Sequence, residues 1–168
     1  MTIRKIIGMA LLLCAGWVSV PGLAEEAVAI SEPSKLDLQY MEQQRQLLQE
    51  LAANNLGRQF SGDRERDLDL LQTLLDRQLV RGDQVRELQA MGVIMGDLLA
   101  ADLGMHWVIY EDRQGRSRAL RDHDSDNYLF PITMIARRRE VGNETPVVEI
   151  YRKAYDIIDA SRPPERFE

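Results

Sequence analysis

Six arginines fall in two short stretches of this chain: Arg116, Arg118 and Arg121 in "RSRALR", and Arg137, Arg138 and Arg139 in "ARRRE". A guanidinium is a planar, permanently charged fork matched to carboxylates and phosphates. The chemistry on offer is therefore recognition of an anion. Strand alternation places Arg116 and Arg118 on one face and Arg121 on the other, unless a bulge intervenes. If the two stretches converge, Arg121 and one of Arg137 or Arg138 are expected near Trp107, where a guanidinium can stack on the indole. The competing reading is a solvated rim of ion pairs with Asp112, Asp122 and Asp124, which contributes little.

Other chemistries find less support. "RDHDSDN" spaces Asp122, Asp124 and Asp126 like the first ligands of a calcium loop, but the twelfth position, where a bidentate glutamate belongs, is Thr133. No metal site is expected. His106 and His123 are the only histidines, and with no HExxH and no cysteine pair they do not make a zinc centre. His106, beside Trp107, reads as a strand surface residue. There is no GxSxG, and Ser61 reads as a helix cap. Two carboxylates suffice for a glycosidase, but nothing singles out a pair among 27 acids. No cofactor is implied.

These side chains must be positioned by helices first. Ser34 can cap a helix to about Asn54, with Leu36, Tyr40, Leu47 and Leu51 on one face and Asn55 and Gly57 as the stop. Ser61 or Asp63 starts a second helix, with Asp63, Glu65 and Asp67 at the positive end of its dipole. Leu68, Leu71, Leu75 and Leu79 form its stripe, widened by Leu70 and Leu74. Asp83 caps a third helix with Val85, Leu88, Met91, Met95, Leu99 and Leu103 on one face. Between Ala90 and Leu103 only Asp97 and Asp102 are polar, so this helix is buried nearly all round. Gly92 and Gly96 inside it each cost about 1 kcal/mol relative to alanine. That cost is understandable where another backbone presses close; the GxxxG spacing otherwise suggests a dimer face. Gly104 ends the helix in the left-handed conformation.

"HWVIYEDRQGRSRAL" then reads as a hairpin, with Gly115 at the turn position needing positive φ. "YLF" is a third short strand closed by Pro131, and "ITMIARRRE" a helical turn or short helix. Thr145 caps a last helix with Pro146 at its first position, and Val147, Ile150 or Tyr151, Ala154 and Ile158 are its buried stripe. Three helices, a small antiparallel sheet and a C-terminal helix make an α+β domain over residues 36–160.

The chain opens on Arg4 and Lys5, an apolar run over residues 6–20, and "PGLA", with Gly22 and Ala24 in the small-residue positions before Glu25. That is the layout of a signal peptide over residues 1–24, and its apolar run of 15 is short for a membrane span; the alternative is an uncleaved N-terminal anchor. Acylation at Cys14 is not expected, because Leu13 stands where a small residue belongs. Cleavage would remove the only cysteine, so the mature chain would have no thiol chemistry. Residues 25–35 read as a flexible leader and 161–168, with two prolines, as a disordered tail. The formal charge is −6, and cleavage makes it more negative. A domain of that sign has no general attraction to nucleic acid or to an anionic membrane.

The stretch "MGDLLAADLGMHWVIYEDRQGRSRALRD" followed by "YLFPITMIARRRE" resembles the bacterial domain of unknown function family 3806. The resemblance runs from Met91 to about Arg138, and the two helices before it fit only loosely. It implies an α+β bacterial domain, often exported, and no catalytic residues to carry over.

The residues support a non-enzymatic periplasmic binding or accessory protein for a protein or an anionic ligand. Its candidate contacts are Trp107, Arg116, Arg121, Arg137 and Arg138. One alternative is a cell-envelope hydrolase, with Asp112 or Asp122 as acid or base in a pocket between the sheet and the last helix. Another is a structural subunit of an envelope assembly, joined through the glutamine-rich first helix. The sequence does not fix the oligomeric state.

Overall fold

The computed structural model describes residues 28–123 and 125–162. The signal peptide expected over residues 1–24 and the end of the chain from residue 163 lie outside them. The elements run β1 (Ala29–Ser31), α1 (Lys35–Leu56), α2 (Arg64–Asp76), α3 (Val85–Leu103), β2 (His106–Asp112), β3 (Gly115–Arg121), β4 (Tyr128–Leu129), α4 (Pro131–Met134), α5 (Ala136–Glu140) and α6 (Val147–Ser161). The strands form one antiparallel sheet in the order β1-β2-β3-β4. This is the α+β architecture that the sequence predicts.

The hub is α3. Leu88, Met91, Met95 and Leu99 are wholly inaccessible, and Ala90, Val93, Ile94 and Leu98 are buried on its other sides. Each large apolar side chain so enclosed contributes roughly 1.5–3 kcal/mol. Around α3 pack α1, the leucine stripe of α2 (Leu68, Leu70, Leu71, Leu74, Leu75) and the expected stripe of α6 (Val147, Ile150, Tyr151, Ala154, Ile158). The helix stops at Gly104, whose φ of 64° is strained for any residue with a Cβ.

The two glycines inside α3 are contact points within the core, of different kinds. A Cβ on Gly92 would lie 2.5 Å from the Ile132 carbonyl oxygen and 2.6 Å from the Pro131 carbonyl oxygen. That is the predicted close backbone, supplied by α4. At Gly96 the neighbour is instead a side chain: a Cβ would lie 2.5 Å from Cζ2 of Trp107. The glycine is a notch for the indole.

The hairpin has the expected form. Trp107 pairs with Leu120, Ile109 with Arg118, Glu111 with Arg116 and Asp112 with Gly115, whose φ is 127°. Cross-strand partners share a face, so Arg116 and Arg118 lie on the Trp107 side, and Arg121, opposite His106, lies on the other.

Four expectations need correction. Part of the supposed flexible leader is ordered: Ala29–Ser31 pair with Ile109–Glu111 as the edge strand, because the edge of β2 offers free backbone partners. The domain also runs past residue 160, since α6 reaches Ser161 and Arg162 is held by Asp122. The inner face of α1 is Asp37, Met41, Gln44, Leu48 and Ala52; Tyr40, Leu47 and Leu51 flank it half-buried, and Leu36 is 77% exposed. A leucine count selected the neighbouring stripe, whereas this helix docks through a mixed polar one. Finally, α3 begins after Gln84 without an Asp83 cap, and α6 after Pro146 without a Thr145 cap; Asp83 pairs with Arg81, and Thr145 bonds Asn143.

Candidate functional site

Asp37 organises the polar cluster at the hairpin end. Ser34 is the N-cap of α1: its hydroxyl accepts from the Asp37 backbone N–H (3.3 Å), and its own N–H donates back to the Asp37 carboxylate at 3.0 Å. That reciprocal pair is a capping box. The carboxylate also points into the fold and is only 3% exposed. Arg116 grips it with both terminal nitrogens, at 2.8 and 2.6 Å, and Arg118 adds a contact at 2.9 Å. The Arg116 hydrogen bonds pull the carboxyl well below the usual carboxylate range; burial opposes this, and the Ser34 bonds assist it. Arg118 also lies over the Tyr40 ring, 4.2 Å from its centroid. Its buried Nε has no acceptor among the described residues.

Beside this cluster is a hollow of about 520 Å³. Tyr40 and Gln89 form one wall, the hairpin from Tyr110 to Arg118 another, and Phe130, Ile132, Thr133 and Arg137 the third. Tyr110 meets Phe130 and Tyr128 edge-on, with centroids 5.3 and 5.1 Å away. The exposed Arg137 has no hydrogen-bond or ion-pair partner among the described residues. Asp112 serves the turn, accepting from the N–H groups of Gln114 (2.8 Å) and Gly115 (3.2 Å). Three guanidiniums and one carboxylate, Asp112, thus line the hollow, and Asp37 beside it engages two of the three. Its local charge is positive in a chain of net charge −6.

Of the five residues singled out from sequence, the hollow gathers Arg116 and Arg137. Trp107 is instead a packing residue, with its ring on Gly96 and its indole N–H donated to Asp97 at 3.0 Å. Arg45 grips the same carboxylate at 2.7 and 2.8 Å. No arginine stacks on Trp107 among the described residues, because that ring faces α3. Arg121 lies 5.8 Å from the Tyr128 ring centroid and donates to the Ser125 carbonyl. Arg138 donates to the Met134 carbonyl at 2.6 Å, joining α4 to α5. Asp122, named for acid–base work, is buried against Arg162 at 2.6 and 3.2 Å. That guanidinium lowers its pKa, which suits an ion pair and not a proton donor near neutrality. Asp124 lies outside the described residues.

Sequence reasoning missed Asp37 and Tyr40 as site residues. The signal was present: Ser34 followed three residues later by an acid is a cap-box spacing. The same acid also continues the stripe Met41, Gln44, Leu48, Ala52.

An α+β domain with a helical hub, a hairpin and an arginine-lined hollow is therefore the class of protein in hand. The domain of unknown function profile DUF3806 matches residues 67–151, half of the chain, and the chain belongs to that family. The match takes in α2 from Asp67 onward, beyond the stretch that carried the resemblance; α1, with Asp37, precedes it. No curated protein matches the chain. The fold is similar to that of a protein from Bacteroides thetaiotaomicron VPI-5482 with a 1.50 Å crystal structure. The TM-score is 0.70 at 18% identity, over 79% of this chain and 49% of that one. This chain thus spans about half the length of that protein, and the likeness is one of fold alone.

Proposed function

We propose that this is an exported, periplasmic binding or accessory protein that holds a carboxylate-bearing group of a ligand or protein partner in the hollow between α1, the hairpin and α4–α5. The observation that carries this reading is one buried carboxylate set between two guanidiniums, with a third, unpaired guanidinium on the opposite wall. Arg116 and Arg118 are pre-oriented by Asp37, so little side-chain entropy is lost when an anion arrives. Tyr40, Tyr110 and Phe130 offer aromatic surface beside the charge, which favours a carboxylate attached to an apolar body. The signal layout of residues 1–24 supports export.

Benzoate is a direct probe, because it combines a carboxylate with a ring. It is expected to bind saturably in calorimetry, more tightly than inorganic phosphate, and to weaken as sodium chloride screens the arginines. Arg137→Ala leaves every hydrogen bond described above intact and is expected to weaken benzoate up to about fivefold. Absence of saturable binding, or equal affinity in the variant, would remove the hollow from consideration. Export has its own check. The intact mass of protein from a periplasmic extract is expected to correspond to a chain beginning at Glu25, and a mass retaining Met1 would refute it.

A further inference from the structure

On the far side of the core, α2 and α6 diverge around a second groove of about 580 Å³, within the range of small-ligand sites. Two of its lining residues, Arg64 and Tyr151, meet on Asp102, one of the two acids of the otherwise apolar half of α3. Tyr151 donates its phenol to that carboxylate, and Arg64 pairs with it at 3.1 Å. Burial and the Asp102 contact push the Tyr151 phenol far above its ordinary range, so it stays a neutral donor. The apolar part of the lining is Leu68 from α2, and Pro146, Val148 and Tyr155 from α6 and its approach, with Val148 44% exposed; Gln72 and Asp69, which pairs with Arg58, complete the α2 side. Two lining charges have no ion-pair or hydrogen-bond partner among the described residues: Glu65 on the α2 wall and Arg152 on the α6 wall.

We propose that this groove binds a small zwitterion with an apolar body, of the class of a dipeptide carrying apolar side chains. The ammonium of such a ligand meets Glu65, its carboxylate meets Arg152, and its side chains cover Val148, Leu68 and Tyr155. Opposite unpaired charges on facing walls select against a simple anion or cation, since either would leave one wall charge desolvated without a partner. This site shares no residue with the arginine hollow, and its test is independent of that reading.

The probe is leucyl-phenylalanine, titrated calorimetrically beside its N-acetyl and C-amide forms. The free dipeptide is expected to bind saturably, and each capped form to bind about two- to fivefold more weakly, the range of one exposed ion pair. Glu65→Gln should abolish discrimination against the N-acetyl form only, and Arg152→Gln discrimination against the amide only. Both residues are exposed, so both variants are expected to fold. No saturable binding, or discrimination unchanged in both variants, would overturn the proposal.

Discussion

Replacing Gly92 by alanine is expected to destabilise the fold by about 2 kcal/mol or more, although helix propensity alone argues the opposite. Alanine is favoured over glycine inside a helix by about 1 kcal/mol. The sign is decided by what the new methyl meets. Its nearest neighbours would be the Ile132 carbonyl oxygen at 2.5 Å, and the Ile132 Cα and Pro131 carbonyl oxygen at 2.6 Å. All three are backbone atoms of α4, so no rotamer change relieves the clash; α3 and α4 must move apart. Gly96→Ala is expected to cost less, because its closest neighbour is the Trp107 ring at 2.5 Å and a side chain can turn. The indole is tethered to Asp97, so this second substitution is not free either. Urea midpoints at unchanged slope measure both effects. A Gly92→Ala variant as stable as the parent, or a reversed order, would contradict this account of the α3–α4 contact. The same substitution is expected to weaken benzoate, since Ile132 and Thr133 form a wall of the hollow.

The parts of this fold that were legible in the sequence are those specified by local chemistry or strong periodicity. Gly104 after an apolar run stops a helix, "DRQG" turns a hairpin, and leucines at helical spacing in α2 mark their own buried side. The failures share a cause: long-range pairing overrode the local pattern. Residues 29–31 carry no strand signal of their own and become a strand because β2 presents an unpaired edge. Leu36 and Tyr40 look like the inner face of α1, yet the helix is rotated so that Asp37 and Gln44 face inward. The same turn buries Met41, Leu48 and Ala52, and Asp37 is met there by a pair of arginines about 80 residues away. For the same reason the arginines were recognised as a group while their partner was not. Asp112, Asp122 and Asp124 lie close to the arginines in sequence, whereas Asp37 lies far away. A tryptophan beside arginines suggests a stacking platform, but the Trp107 ring is received at Gly96 on α3.

Asp37→Asn is expected to cost about 2 kcal/mol and to remove part of the acid sensitivity of the fold. Breaking a fully buried pair costs about 3–5 kcal/mol, but Arg116 is 45% exposed and Arg118 25%, so water recovers part of the loss. Asparagine keeps the size but replaces one of the two acceptor oxygens with an amide NH2, so the variant loses the charge and the bonds accepted by one oxygen. The pH dependence has a definite direction. The folded-state pKa of Asp37 is depressed, so the unfolded chain binds the proton first as pH falls. Its contribution is complete above the unfolded carboxylate value, about 4, and declines as pH drops below it toward the folded value. Asp122 is depressed in the same direction by Arg162, so the single variant keeps a residual slope. Urea midpoints at pH 7 and pH 3 are therefore expected to differ most in the parent, less in Asp37→Asn, and least in Asp37→Asn/Asp122→Asn. Parallel pH profiles would show that Asp37 is not charged and gripped in the folded protein. The variant that remains folded also tests the hollow. With Asp37 neutral, Arg116 and Arg118 present two uncompensated charges, and benzoate should bind more tightly than to the parent. Unchanged or weaker binding would contradict the reading that an anion in the hollow is held by the charge of Arg116 and Arg118.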